Sequence, residues 1–337
     1  MSVEFHPDAQ QELEDAVAYY DGISSEIGDA FITGVKSTLQ RIEQFPEAWS
    51  YFTTEKEQLT IMQNWPQLIN QYINESTLEE RKSWYSNAAD AYNRTRPRYP
   101  HEIISRVVEL AQLPPNANIL ELGCGPGTAT TSFAKLGSMT CLEPSSEACE
   151  IARQNCTNYP NVEIINTTFE EWQLTNSTYD GVLAATSFHW ISSEIRYRKT
   201  ANALKPNGSL ILLWNIAFKP LPEVYQILHE VYQRETPSLP SALYHDRETH
   251  LSELANFGQA ILDSGLYQNL VVEHFPYELT YSIDDYIALL GTFSGSIALE
   301  SNQRDSLFTS LKQELETNWG KSFQVPCLAS FHIAKKI

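Results

Sequence analysis

Three glycines at alternate positions end an apolar run in ILELGCGPGT, Ile119 to Thr128. Where a strand turns into a helix, Gly123, Gly125 and Gly127 let the main chain take positive φ and approach a ligand with no Cβ in the way. Glu121 lies inside the run, and Glu143 in CLEPS follows about twenty residues later, the offset at which a carboxylate meets a ribose. A P-loop would place Lys and then Ser or Thr after the last glycine; Thr128 and Ala129 stand there instead. A dinucleotide turn would read GxGxxG, but the sixth position counted from Gly123 is Thr128, so the third glycine comes one residue early.

The ligand left over has a ribose and an adenine but no pyrophosphate. Glu143 would accept from the ribose hydroxyls, and Glu121 would put negative charge under a cationic reactive centre. Phe169 and Glu170, in FEEW, would pack on an adenine face and accept from its exocyclic amine. S-adenosylmethionine presents these groups, and its sulfonium suits an acidic pocket. His189 in TSFHWI stands in a motif position beyond the fourth predicted strand. It would act as a general base, or as a hydrogen-bond donor, toward a methyl acceptor.

Such residues need strands that end side by side. NILELG, SMTCLEP, NVEIINTTF, YDGVLAAT and NGSLILLWN read as strands, separated by helical TATTSFAKLG, SSEACEIARQNC and SEIRYRKTANALKP. That alternation predicts a doubly wound α/β domain, with ligands at the carboxyl ends of the strands near the switch in strand order. Thr77 with Glu80 forms a capping box for a helix through LEERKSWYSNAADAYNRT, which Pro97 ends. Insertions around 216–266 and 282–320 carry PEVYQILHEVYQ, ETHLSELANFGQAIL and SIDDYIALLGTFSGS. As helices over the strand ends they would form a lid, with Tyr225, Tyr232, Tyr244, Tyr286 and Phe293 available to line it.

ILELGCGPGT, CLEPS, FEEW, YDGVLAATSFHWI and LKPNGSLILLW, in this order, resemble the class I S-adenosylmethionine-dependent methyltransferases over residues 77–337. AYNRTRPRYP is similar to the N-terminal block of a small-molecule branch that carries FHW after its fourth strand, a look shared by trans-aconitate methyltransferases. The resemblance implies a Rossmann-like methyltransferase sheet with a helical lid, and S-adenosyl-L-methionine as cofactor. It makes Gly123, Gly125 and Glu143 cofactor contacts, sets Phe169 and Glu170 beside the adenine and Thr186 near the methionine portion; Glu121 and Gly127 join them as cofactor-binding residues from their place in and before the turn. Tyr92 and Arg96 would approach the cofactor carboxylate or the substrate, and Trp190 would wall the acceptor pocket. The implied activity is in-line methyl transfer to a small molecule, first to an oxygen of a carboxylate or hydroxyl.

Residues 1–52 have a pattern of their own: a strand VEF, then helical HPDAQQELEDAVAYY and GDAFITGVKSTLQRIEQFPEAW. They resemble the first half of a ParE/RelE-type toxin, a small α+β unit, joined by a linker over 53–76 whose composition lacks the toxin's second-half strands. An unpaired hairpin face must be buried against the larger domain, a partner chain, a second copy in a homodimer or an antitoxin-like peptide. That leaves open a second reading, an interaction protein in which the methyltransferase domain is a passenger.

Composition narrows the partners. The 337 residues carry a formal net charge of −19, which repels nucleic-acid backbones and anionic membranes. The stretch after the fourth strand reads ATSF, without the Asp/Asn-Pro-Pro-aromatic block of amino-methylating DNA enzymes, so DNA is disfavoured twice. The 5 cysteines form no CxxC pair, which argues against a structural metal and for a reducing, cytoplasmic location. No apolar run approaches the ~18 residues needed to span a bilayer.

Overall fold

The computed structural model describes Lys82, residues 85–236 and residues 247–337. The toxin-like segment 1–52, the linker 53–76, the capping box at Thr77 and the aromatic Tyr244 lie outside the described residues.

The chain passes through α1 (Ala89–Thr95), α2 (His101–Ala111), β1 (Ala117–Leu122), α3 (Thr130–Phe133), β2 (Gly137–Glu143), α4 (Ser146–Asn155), β3 (Val162–Asn166) and β4 (Tyr179–Ala185). Then follow α5 (Ser193–Ala203), β5 (Leu204–Ala217), α6 (Pro222–Glu235), α7 (Arg247–Asp263), β6 (Tyr267–Ser282), α8 (Ile283–Leu290), α9 (Ser294–Ile297), α10 (Ser301–Asn318) and β7 (Ser322–Lys336). The strands form one sheet of 7 in the order β3-β2-β1-β4-β5-β7-β6. β1 through β5 are parallel, and β7 runs antiparallel between β5 and β6. The order reverses between β1 and β4, so the carboxyl ends of those two strands flank the crevice where ligands of such sheets bind.

The strands in the middle of the sheet are covered on both faces, which is why β1 and β4 read as nearly unbroken apolar runs. One face packs Ile103 and Val107 of α2 with Ile119, Phe133, Met139, Ile211 and Phe331. The other packs Ala201 of α5 and Leu254 and Ile261 of α7 with Leu120, Leu122, Val182, Leu212 and Trp214. A third cluster joins Leu228 and Val231 of α6, Tyr286 and Leu290 of α8 and Leu307 and Leu311 of α10 to Tyr281, Phe323 and Val325 on the β6–β7 hairpin.

Three expectations change. The helix expected through TATTSFAKLG is only the four residues of α3, because Thr128 and Ala129 stay in the glycine turn and Gly137 already opens β2. The lid expected over 216–266 divides: α7 lies on the sheet face, with Leu254 and Ile261 in the core, and among the described residues α6, α8 and α10 pack together as a cap. The final hairpin is longer than LVVEHFPYELTYS and CLASFHIA suggested. It pairs from Tyr267–Lys336 out to Ser282–Ser322, and β5 leaves it at Ala217–Cys327, so its tip overhangs the sheet and carries the cap. Among the described residues no helix is long and apolar enough to cross a membrane.

Candidate active site

The glycine turn lies at the carboxyl end of β1, beside the switch in strand order. Gly123, Gly125 and Gly127 have φ of 64°, 55° and 83°, the left-handed region that favours glycine. A Cβ on Gly123 would stand 2.8 Å from the Ser187 Cβ, so there the turn packs against the end of β4. A Cβ on Gly125 would meet nothing within 4 Å, which leaves a bare stretch of main chain facing open space. The turn is tied to β2 by the Cys124 N–H donating to the Leu142 carbonyl at 3.1 Å.

Glu143 ends β2 directly beneath the turn. Its Oε2 accepts from the Gly125 N–H at 2.8 Å and its Oε1 from the Ser145 N–H at 2.9 Å. Burial pushes its carboxyl up to about 7, against the pull of the Ser145 and Gly125 amides. Each oxygen keeps lone-pair capacity for a further donor such as a ribose hydroxyl. Glu121 is fully buried, pairing across the ladder with Cys141. Its Oε2 accepts from Thr130 Oγ1 at 2.6 Å and its Oε1 has no partner. Burial raises this carboxyl as well, to about 7, and the neighbouring Glu143 adds to the shift. Two acids of suppressed ionisation under a bare turn suit a cationic ligand, whose charge would restore them.

At the end of β4, Thr186 takes a positive φ of 55°, which costs a β-branched residue energy and persists here because its N–H is fixed to the Leu213 carbonyl at 2.7 Å. Its Oγ1 meets the Tyr99 hydroxyl at 3.1 Å. Ser187 Oγ donates to the Leu122 carbonyl and joins the two strand ends.

The residues expected to bind the acceptor converge. The Arg96 guanidinium stands 4.8 Å from the ring centroids of both Tyr92 and Phe293, and it donates from Nε to Thr292 Oγ1 and from Nη2 to the Thr292 carbonyl, each at 2.8 Å. Tyr85 packs edge-on to Tyr92 and to Trp190, at 6.1 and 5.7 Å, and its hydroxyl meets Ser294 Oγ at 2.9 Å. His189 follows β4 in a short 3-10 turn, Phe188–Trp190, and stacks on Trp214 at 5.9 Å and 29°. Burial, with the charges of Arg196 and Arg96, depresses its imidazole to about 4, and Nδ1 has no hydrogen-bond partner. At neutral pH His189 is therefore an uncharged and weak base.

The FEEW stretch divides. Phe169 is 4% exposed and packs in the core, with the Lys199 ammonium 5.0 Å from its ring centroid. The ring expected to shelve an adenine thus packs among core neighbours in this structure. Glu170 is half-buried, its Oε1 3.5 Å from the Ser192 N–H at the start of α5.

Several residues of the site were not singled out by the sequence, although Tyr99 lies in AYNRTRPRYP and Trp214 ends LKPNGSLILLW. Tyr99, Tyr85, Thr292 and Trp214 come from separate parts of the chain and meet only through the fold. Trp214 donates from Nε1 to His332 Nδ1 at 3.0 Å, which leaves Nε2 of that imidazole to donate to the Leu254 carbonyl at 2.8 Å. A recess of about 450 Å³ lined by Asn116, Lys135, Ser138, Tyr159 and Asn161 lies at the amino ends of the strands, the wrong edge for this chemistry. Among the described residues no group of acidic, His and Cys side chains could hold a metal ion.

Residues 119–208 match the family of methyltransferase domains, a span that includes the glycine turn, Glu143, Glu170, Thr186 and His189. An uncharacterized methyltransferase of Mycobacterium tuberculosis is 31% identical over 132 residues, 39% of this chain and 51% of that protein. The chain thus spans about half the length of this curated relative. An uncharacterized methyltransferase-like protein of Schizosaccharomyces pombe is 25% identical over 241 residues, 70% of this chain and 87% of the relative. A malonyl-[acyl-carrier protein] O-methyltransferase of Halalkalibacterium halodurans is 26% identical over 172 residues, 48% of this chain and 61% of the relative. A solved structure from Anaeromyxobacter dehalogenans, assigned as a type II methyltransferase, superposes with a TM-score of 0.52 at 18% identity, over 71% of this chain and 97% of that one. It shares the Rossmann-like methyltransferase fold. Residues 119–208 are a methyltransferase domain.

Proposed function

We propose that the protein is an S-adenosylmethionine-dependent methyltransferase acting on a small molecule that presents a carboxylate oxygen. The observation that carries the reading is the bare turn at Gly125 with Glu143 hydrogen-bonded beneath it, at the switch in strand order. The residues fit the cofactor: an open space where a Cβ would stand, a carboxylate under it, and a buried acid with one unpartnered oxygen. Glu143 would hold the ribose, Glu121 would favour the positive charge, and Thr186 with Tyr99 would border the methionine portion. When bound, the cofactor supplies an electrophilic methyl carbon on a sulfonium. The chain's task is then to hold an acceptor in line and dry.

The acceptor side favours an oxygen that arrives ionised. His189, depressed to about 4, is poorly suited to take a proton from a hydroxyl. A carboxylate needs no base, and Arg96 offers it a positive charge between two rings. In that role His189 orients the acceptor and Trp190 and Tyr92 exclude water. The likeness to O-methyltransferases acting on a malonyl group agrees with this choice.

The experiment is a screen of carboxylic acid metabolites with the purified chain and S-adenosylmethionine, read as release of S-adenosylhomocysteine. Turnover of an acid, giving a base-labile methyl ester, is the expected result. Turnover confined to amines would overturn the acceptor class, and absence of cofactor binding by calorimetry would overturn the enzyme.

A further inference from the structure

Lys199 lies two turns into α5, outside every motif that pointed to the site. Its ammonium donates to three main-chain carbonyls of one tight turn, those of Phe169 at 2.5 Å, Glu170 at 3.1 Å and Trp172 at 2.8 Å. The same nitrogen stands 5.0 Å from the Phe169 ring centroid. An ammonium has three donors, so the carbonyls of this turn use all of its capacity. The turn is also pinned from within, where the Trp172 N–H donates to the Thr168 carbonyl and the Glu171 N–H to Thr168 Oγ1. Three carbonyls aimed at one point repel one another unless a cation sits between them, so the path of the chain at Glu170 depends on Lys199.

The start of α5 meets the same residue, with the Ser192 N–H 3.5 Å from Glu170 Oε1. Helix α5 therefore holds Glu170 at two points, the main chain by Lys199 and the carboxylate by Ser192. The Phe169 ring is buried in the core and the Glu171 carboxylate is engaged by Lys82 and Thr168, so Glu170 is the carboxylate of this turn whose position α5 sets.

We propose that Lys199 is a positioning residue that sets the selectivity of the site for a 6-amino purine, by fixing the turn from which the Glu170 carboxylate accepts the exocyclic amine. It touches neither cofactor nor acceptor and acts through the carbonyls of residues 169, 170 and 172. The inference rests on the cofactor reading above. A 6-oxo purine places an acceptor where the amine donates, and a carboxylate held in place rejects it.

The test compares calorimetric binding of S-adenosylhomocysteine and of its 6-oxo (inosine) analogue to the full chain and to Lys199→Met. The wild type is expected to prefer the amino form by about tenfold or more. In Lys199→Met that ratio should fall toward one, while the acceptor KM at saturating cofactor stays within about twofold. Equal weakening of both ligands with the ratio intact would assign Lys199 a merely structural role and overturn the proposal, as would no change at all. Lys199→Arg keeps the charge and much of the stem but not the single nitrogen shared by three carbonyls. It should show the same fall in ratio, and it carries the test if the methionine variant does not fold. Failure of the wild type to bind S-adenosylhomocysteine would instead remove the cofactor reading, and the selectivity proposal with it.

Discussion

Affinity for the cofactor should depend on pH through Glu143, and the dependence should disappear when that carboxylate is replaced. In the free protein the group is held up at about 7, so its ionised fraction falls from roughly nine-tenths at pH 8 to one-tenth at pH 6. A ribose hydroxyl donates, and it needs the ionised acceptor. Affinity is therefore expected to weaken about tenfold over that interval, ~1.4 kcal/mol. Glu121, also near 7, adds a second factor for the sulfonium form and little for the neutral demethylated product. The slope should thus be steeper for S-adenosylmethionine than for S-adenosylhomocysteine. Calorimetry of both ligands at pH 6, 7 and 8, with wild type and Glu143→Gln side by side, separates protein from ligand titration, because the ligand's amino group contributes equally to both proteins. The glutamine can still accept from one of the Gly125 and Ser145 amides but loses the charge, so at pH 8 it should bind about 10- to 100-fold more weakly, with a flatter profile. Equal slopes in the two proteins, or unchanged affinity in Glu143→Gln, would refute the assignment of Glu143.

Other substitutions test the remaining parts. Gly125→Ala should cost only the backbone strain of its φ of 55°, about 1 kcal/mol, since its Cβ meets nothing within 4 Å, yet it should weaken cofactor binding. Gly123→Ala, whose Cβ would stand 2.8 Å from that of Ser187, should instead destabilise the fold by roughly 1–3 kcal/mol in urea titration. Arg96→Gln should raise the acceptor KM about tenfold or more while cofactor affinity holds, and His189→Asn should change the rate on a carboxylate by less than about tenfold between pH 6 and 8. His332 is buried neutral, depressed to about 4 against 6.5 in the unfolded chain, so it contributes stability that is lost as pH falls through that window. The raised acids Glu121 and Glu143 work in the opposite sense, losing stability as pH rises from 4.5 to 7. His332→Gln should therefore remove ~2 kcal/mol of the difference in denaturant stability between pH 7 and pH 5, and an unchanged profile would show that another group carries it.

The half of the candidate site proposed to hold the cofactor was legible as geometry because its signals are local. A positive φ selects glycine one position at a time, and the strand and the acid after it lie within one short stretch. The acceptor half was legible only at Tyr92, Arg96, His189 and Trp190, through resemblance. Tyr85, Tyr99, Thr292 and Trp214 meet it from distant segments, and no spacing rule connects them. Phe169 misled because an aromatic beside an acid has the same appearance whether its ring faces a base or the core. Helix α7 misled for a related reason: an amphipathic pattern records that a face is buried, but not whether sheet or cap buries it.

The overhanging β6–β7 hairpin divides labour along the chain. Thr292, Phe293 and Ser294 hang from its far end, whereas the glycine turn, Glu143 and Thr186 grow from the base of the sheet. A transplant of the segment between Pro276 and Pro326 from a relative would thus change the wall that Thr292 and Phe293 build against Arg96 and leave the donor's seat untouched, letting the acceptor side be varied from one piece of chain.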